Sequence, residues 1–284
     1  MINRLVIIGV GLMGGSLALA LRAAGRVGEI VGYGRGLTNL QDAVDRRVID
    51  RVATSLGSAV READVVVLAT PVGAMGDSLA EIAPFLTERS VVTDVGSVKT
   101  QVVSAARVAL GERFARFVPG HPLAGGEKSG VGAAHAELYR GQRVILTPEA
   151  ETDAQATERV AAMWESVGAE VRRMPAGEHD AILAATSHLP HLLAFTLMDL
   201  LARAPQRRSV FEYCGNGLRD MTRIAASDPV MWRDICLANR DAILAALADY
   251  RGELEELAAA IEGGDGVRLL DLFARAKRTR EELN

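Results

Sequence analysis

Three of the chain's five histidines stand where proton chemistry could be done: His121 in Gly120-His121-Pro122-Leu123-Ala124-Gly125, and the pair in Ser187-His188-Leu189-Pro190-His191. An imidazole titrates near neutrality and can accept the proton of a hydroxyl, which is the need of any alcohol that loses hydride. His121 follows the apolar run Phe117-Val118-Pro119, which places it in a loop at the carboxyl end of a strand, where open α/β sheets take their ligands. Ser97 and Lys99, in Asp94-Val95-Gly96-Ser97-Val98-Lys99-Thr100, end another run on the same edge and present a hydroxyl and an ammonium toward the same crevice. A helix cap and a solvated lysine are the plainer readings of those two residues. His188 and His191, three residues apart, share one helix face, with Pro190 expected to kink that helix. Zinc suits a His-x-x-His pair, but no further Cys/His cluster adjoins it and no metal is expected; a structural histidine pair stays open.

A second constellation lies at the N-terminus, where Leu5-Val6-Ile7-Ile8 runs into Gly9-Val10-Gly11-Leu12-Met13-Gly14 and an Ala/Leu-rich helical stretch. Strand, glycine turn and helix in that order bind a dinucleotide. Gly9 permits the turn, Gly11 admits the diphosphate, and Gly14 lets the helix lie close to its strand. The diphosphate meets the helix N-terminus at Leu12 and Met13. Thr70 and Pro71, behind Val65-Val66-Val67-Leu68, belong to the same cofactor-binding set. At the end of the second strand Tyr33-Gly34-Arg35 offers no carboxylate for a ribose 2′-hydroxyl. Arg35 can instead pair with a 2′-phosphate, which favours NADP, with NAD or dual use open.

These groups need a frame. The 284 residues, 49% apolar, suffice for two domains, a Rossmann-type doubly wound α/β domain over 1–174 and an all-helical substrate and dimerisation domain over 175–284. Strands are expected at Arg4–Ile8, Glu29–Tyr33, Asp64–Ala69, Ser90–Asp94, Phe117–Gly120, Val144–Thr147 and Glu170–Arg173, several of them continuous apolar runs suited to a buried parallel sheet. Beyond Pro175 Ala and Leu recur at helical spacing, enough for about four to six helices. Asp228-Pro229 starts an amphipathic helix running to Tyr250, Gly263-Gly264 ends one, and Val267–Leu283 forms the next. The apolar faces of Leu192–Leu201 and Ile243–Leu257 exceed what one small helical domain covers, which points to a homodimer through these helices, a compact monomer core being the alternative.

A net charge of −4 gives no footprint for nucleic acid or an anionic membrane, so the partner is a small molecule. Cys214 and Cys236 form no Cys-x-x-Cys pattern and fit a reducing, cytoplasmic setting. Arg4 with the apolar run behind it imitates a secretory signal, but its glycines make a strand and turn instead, and no apolar stretch reaches a membrane span.

In chain order the glycine turn, Asp94-Val95-Gly96-Ser97-Val98-Lys99, His121-Pro122-Leu123-Ala124-Gly125 with Glu127-Lys128-Ser129-Gly130, Ser187-His188-Leu189-Pro190-His191, and Arg219-Asp220-Met221-Thr222-Arg223-Ile224-Ala225 with Ser227-Asp228-Pro229 and Trp232 resemble the prephenate/arogenate (cyclohexadienyl) dehydrogenase family of tyrosine biosynthesis. The resemblance implies oxidative decarboxylation of prephenate to 4-hydroxyphenylpyruvate, or of arogenate to tyrosine, with hydride passing to NAD(P). It implies that His121 takes the proton of the ring hydroxyl and that Ser97 aligns it. Arg223 binds a carboxylate, with His188 and His191 reading the side chain and Asp220 and Glu127 orienting the cations. Lys99 and Trp232 complete the substrate set, in a site between the domains. Gly126 departs from the family, which carries a hydroxyl residue there in many members. The chain leaves no room for an added mutase or regulatory domain, so a monofunctional enzyme is expected. Another Rossmann-plus-helical oxidoreductase of the β-hydroxyacid dehydrogenase kind, or a non-catalytic dinucleotide sensor, is the alternative; the first usually depends on a lysine where this chain has His188-Leu189-Pro190-His191.

Overall fold

The structure, a computed structural model, describes residues 1–126 and 128–283. The chain forms two compact units, Met1–Arg240 and Asp241–Asn284.

In the first unit six parallel strands, β1 (Ile2–Ile8), β2 (Val27–Tyr33), β3 (Arg51–Val52), β4 (Val65–Leu68), β5 (Val91–Asp94) and β6 (Phe117–Val118), lie in the order β3-β2-β1-β4-β5-β6. The order reverses between β1 and β4, which opens a crevice at the carboxyl ends of these two strands. All four residues of β4 and of β5 are buried, as continuous apolar runs require when helices cover both faces of a sheet. One core packs on each face, around Leu5, Ile7 and Trp164 on one side and Val66, Leu79 and Phe117 on the other. The doubly wound α/β expectation holds. The two-residue β3 escaped notice because it is too short to show a period.

The expected strand Phe117–Gly120 divides. After Val118 the chain enters a second, three-stranded sheet of β7 (Gly120–Pro122), β8 (Arg143–Leu146) and β9 (Glu170–Arg173), with β7 antiparallel to β8 and β8 parallel to β9. Pro119 marks the change of sheet, because it has no N–H for a ladder while its carbonyl accepts from Thr147 N at 2.9 Å. His121 therefore sits in a strand, opposite Ile145, and not in the expected loop.

Among the described residues no strand follows Arg173, and seven α-helices do, more than expected. Within the first unit these are Ala176–Leu183, Leu189–Ala202, Arg207–Glu212, Asn216–Thr222 and Pro229–Ala238. Pro190 falls in the first turn of Leu189–Ala202, directly behind one turn of π-helix, Ala184–His188, which interrupts the regular α-helical ladder just ahead of the proline. The continuous helical stretch Ala176–Ala202 is, by length and composition, long and apolar enough to cross a membrane, contrary to the sequence reading, and 22% of its most apolar window is buried. Asp228 caps the helix behind it, accepting from Met231 N at 2.8 Å, with Pro229 at the first position as expected. That helix stops at Ala238 instead of running on to Tyr250. Asn239 interrupts it and commits its side chain elsewhere.

The second unit holds most of a helix spanning Arg240–Glu262 and a shorter one, Gly266–Glu281. They are joined at Gly263-Gly264, where Gly264 adopts φ +64°. The Asp265 side chain caps the shorter helix at Arg268 N, 3.0 Å away.

Candidate active site

β1 delivers the chain to Gly9, whose φ of +100° and whose approach to β4 both exclude a side chain: a Cβ there would lie 2.6 Å from the Ala69 carbonyl oxygen. At Gly14 a Cβ would fall 2.5 Å from the Gly9 carbonyl oxygen and 2.6 Å from Ile7 Cγ2, so the helix Leu12–Ala23 rests directly on its strand. Gly11 is different, since a Cβ there would meet nothing within 4 Å. Packing does not ask for glycine at that position; the close approach of a ligand does. The Thr70 hydroxyl, at the end of β4, is buried without a partner among the described residues. These features fit a dinucleotide laid across the switch point, with its diphosphate against the first turn at Leu12 and Met13.

Two side chains brace this turn. Asn39 donates from Nδ2 to the Val10 carbonyl at 2.6 Å and accepts at Oδ1 from Val131 N at 2.9 Å. The Tyr139 hydroxyl donates to the Met13 carbonyl at 2.6 Å. Arg35 stands exposed past the end of β2. A side chain at Gly34 would meet only Leu40 Cδ2, at 3.8 Å. Gly126 is exposed, and a Cβ on it would touch Leu12 Cδ2 at 3.4 Å.

The Lys99 ammonium does not face the crevice. Its side chain is fully buried and pairs with the Asp94 carboxylate, and it donates to the Gly120 carbonyl at 2.7 Å. Asp94 also accepts from Gly96 N at 2.8 Å and Gly120 N at 3.0 Å. Burial lowers the Lys99 pKa, with Asp94 and Asp180 opposing. Lys99 thus fixes the backbone on which His121 hangs; a substrate role for it is corrected by this geometry. Ser97, two residues before it, remains partly exposed.

His121 lines an open cleft of 760 Å³ together with Leu123, His135, Gln142, Leu183 and Ser187. Its Nδ1 lies 2.8 Å from Nε2 of His179, and Nδ1 of His179 lies 2.8 Å from Oδ1 of Asp180. The Asp180 carboxylate further accepts from Lys99 N and Thr100 N, both at 2.8 Å, at the start of the helix Thr100–Leu110. Burial, then the neighbouring His179, Lys99 and His188, hold the His121 pKa well below the usual histidine value, so the ring is uncharged at neutral pH. Burial alone would raise Asp180, but the hydrogen bonds from His179, Lys99 and Thr100 outweigh it and keep the carboxyl ionised.

The other histidine pair is held just as firmly. His188 is buried, with Nδ1 3.1 Å from Asn239 Nδ2, and the same amide donates to the Asp180 carbonyl at 2.8 Å. Burial takes the His188 pKa down to about 4, Asp180 opposing. His191 stacks on the Trp232 indole at 3.9 Å and 23°, and its Nδ1 donates to the Ser187 carbonyl at 2.8 Å. Burial lowers the His191 pKa; the Ser187 carbonyl opposes this and the Arg223 guanidinium reinforces it. Arg223 itself is exposed, at the head of the short helical turn Arg223–Ala226. Trp232, 6% exposed, is the platform beneath His191 and offers little surface to a substrate. Asp220 is exposed, and Glu127 lies outside the described residues.

Sequence reasoning passed over His179, Asp180 and Asn239. A signal existed for the first two, a histidine directly followed by a carboxylate one helix ahead of Ser187–His191. Residues from both sides of position 174 meet here, within the first compact unit.

A glycine turn at the switch point, and an uncharged imidazole over a cleft, define a dinucleotide-dependent oxidoreductase. Residues 17–173 match the family model of the prephenate dehydrogenase nucleotide-binding domain, and residues 175–275 that of the prephenate dehydrogenase dimerization domain. The chain belongs to the prephenate dehydrogenase family and is an oxidoreductase of the prephenate/arogenate dehydrogenase type. It is 38% identical to a cyclohexadienyl dehydrogenase of Zymomonas mobilis, over 98% of this chain and 95% of the relative. To a prephenate dehydrogenase of Bacillus subtilis it is 36% identical over 99% of this chain and 76% of the relative. The crystal structure of the A. aeolicus prephenate dehydrogenase in complex with hydroxyphenyl propionate and NAD+ superposes with a TM-score of 0.94 at 38% identity, covering 100% of this chain and 99% of that one. The resemblance read from the motifs is thereby borne out.

Proposed function

We propose that His121 is the base that takes the ring hydroxyl proton of prephenate or arogenate, in the tyrosine branch of aromatic amino acid synthesis. The observation that carries this is an uncharged imidazole on the cleft, one nitrogen held inward by His179. Bound nicotinamide supplies the acceptor for the hydride of the same carbon. As the O–H bond breaks, a new N–H bond forms on His121, and the electron pair left on oxygen becomes the ketone. The ring carboxylate then leaves as carbon dioxide: its bonding pair enters the ring, the ketone's π pair moves onto oxygen as the ring becomes aromatic, and that oxygen takes a proton to become the phenol. Ser97 aligns the hydroxyl with His121. Arg223 takes a substrate carboxylate, for which its planar fork is suited, and Asp220 and Glu127 orient the cations. His188 and His191 read the side chain at the substrate's other end.

Arg35 and the small Gly34 favour NADP at the end of β2, with NAD as the alternative. The homodimer is supported by the name of the matching C-terminal family model and by half-exposed or exposed apolar side chains along Leu189–Ala202, Leu200 being 60% exposed. The decisive experiment is initial rates for the four combinations of prephenate or arogenate with NAD or NADP. Turnover of one or both substrates, faster with NADP, is expected. No turnover with either substrate would overturn the proposal.

A further inference from the structure

The line His121, His179, Asp180 carries a direction, and the direction follows from donors and acceptors alone. Asp180 sits at the N-terminus of the helix Thr100–Leu110 and accepts two backbone N–H groups, an arrangement that keeps a carboxyl ionised and therefore acceptor-only. The ring nitrogen 2.8 Å from it, Nδ1 of His179, must then carry the proton. A neutral His179 accordingly presents a bare Nε2, and the nitrogen 2.8 Å from that one, Nδ1 of His121, must be protonated. What remains on His121 is Nε2, at the far end of a ring that lines the cleft, with an unshared pair. The two rings meet edge to face, centroids 5.1 Å apart, and His179 has no exposed surface, so His179 cannot turn without breaking both bonds, nor His121 without breaking the one they share.

We propose that His179 and Asp180 are the positioning residues of the proton transfer: they hold His121 in the tautomer that exposes Nε2 to the substrate, and they take up the charge that the transfer creates. The proposal rests on His121 being the base. When Nε2 gains the substrate proton, His121 becomes an imidazolium in a dry setting that disfavours it. The described titratable or charged groups facing it are His179 on the helix Ala176–Leu183, Lys99 ahead of Thr100–Leu110, and His188 in the π turn; none is an anion. Asp180, reached through His179, is the counter-charge. If the Nδ1 proton of His121 crosses to His179 Nε2 as the new proton arrives, His121 returns to neutral. His179 then carries the positive charge directly against Asp180.

Two experiments test this on the full-length chain. Nitrogen-15 spectra of histidine-labelled protein at neutral pH, with His121 assigned by the signals lost in His121→Ala, report the tautomer without reference to turnover. Protonated Nδ1 and bare Nε2 on both His121 and His179 are expected; a proton on His121 Nε2 overturns the proposal. Kinetically, His179→Phe removes the acceptor and lowers kcat about 100-fold, with KM for substrate and nucleotide changed less than about threefold. His179→Gln, whose side-chain oxygen can accept the same hydrogen bond, recovers about tenfold of that loss. Equal losses in Phe and Gln variants that bind nucleotide normally, or wild-type kcat in His179→Phe, overturn it. If the wild-type chain turns over neither substrate, the proposed reaction is what fails, while the nitrogen spectra still decide the tautomer.

Discussion

Lys99 and Asp94 meet with neither side chain exposed to solvent, and between them they grip both the N–H and the carbonyl of Gly120, the residue before the proposed base. Removing one member of such a pair leaves a buried charge without its partner. Lys99→Met is expected to cost roughly 3–5 kcal/mol. A denaturant unfolding curve checks it, and a midpoint equal to wild type would show that the pair does not support the fold.

As the proposed base, His121 contributes most in the transition state. His121→Ala should therefore lower kcat by on the order of 10²–10⁴ while KM stays near its wild-type value. Steady-state rates decide this. An unaltered kcat would remove His121 from the chemistry.

Gly34 has room for a larger residue, its nearest prospective neighbour being 3.8 Å away. Gly34→Asp places a carboxylate where a ribose 2′-hydroxyl can be gripped and a 2′-phosphate is repelled. The ratio of kcat/KM for NADP over NAD should fall by about tenfold or more, since one charge pair of about 1.4 kcal/mol suffices for that. An unchanged ratio would show that the end of β2 does not read the 2′ position.

Two histidines make the fold sensitive to acid. Burial lowers His188 from 6.5 to about 4 and His121 in the same direction. Unfolded, both rings titrate near 6.5, so between that value and about 4 the unfolded chain binds more protons than the folded one. Stability thus rises with pH across this window and is lost as pH falls from 6.5 toward 4. Urea midpoints at pH 7.5, 6 and 5 should fall in that order; equal midpoints would contradict the burial of these rings as neutral species.

What the sequence disclosed was local. The glycines at 9, 11 and 14, the Asp228 cap and the run Val65–Leu68 each declare their structure within a few residues, because a turn, a cap or a buried strand is set by neighbours in the chain. His121 and His179 are 58 residues apart and touch only because Pro119 sends the strand into a second sheet. Lys99 reads like any lysine near a helix start; its burial depends on Asp94 and Gly120, which no period in the sequence connects to it. Pro190 announced a break in a regular helix, but the π turn Ala184–His188 directly ahead of it carries no signal in the residue types.

Asp180 ties the start of one helix to the proposed base through a single carboxylate. The amide protons of Lys99 and Thr100 are held by its Oδ1 and Oδ2 respectively, and Oδ1 also anchors His179. Solvent can reach those protons only when the carboxylate lets go. The exchange of two backbone hydrogens therefore reports how often this carboxylate releases its hold at the helix start, in a chain with no bound ligand and no reaction under way.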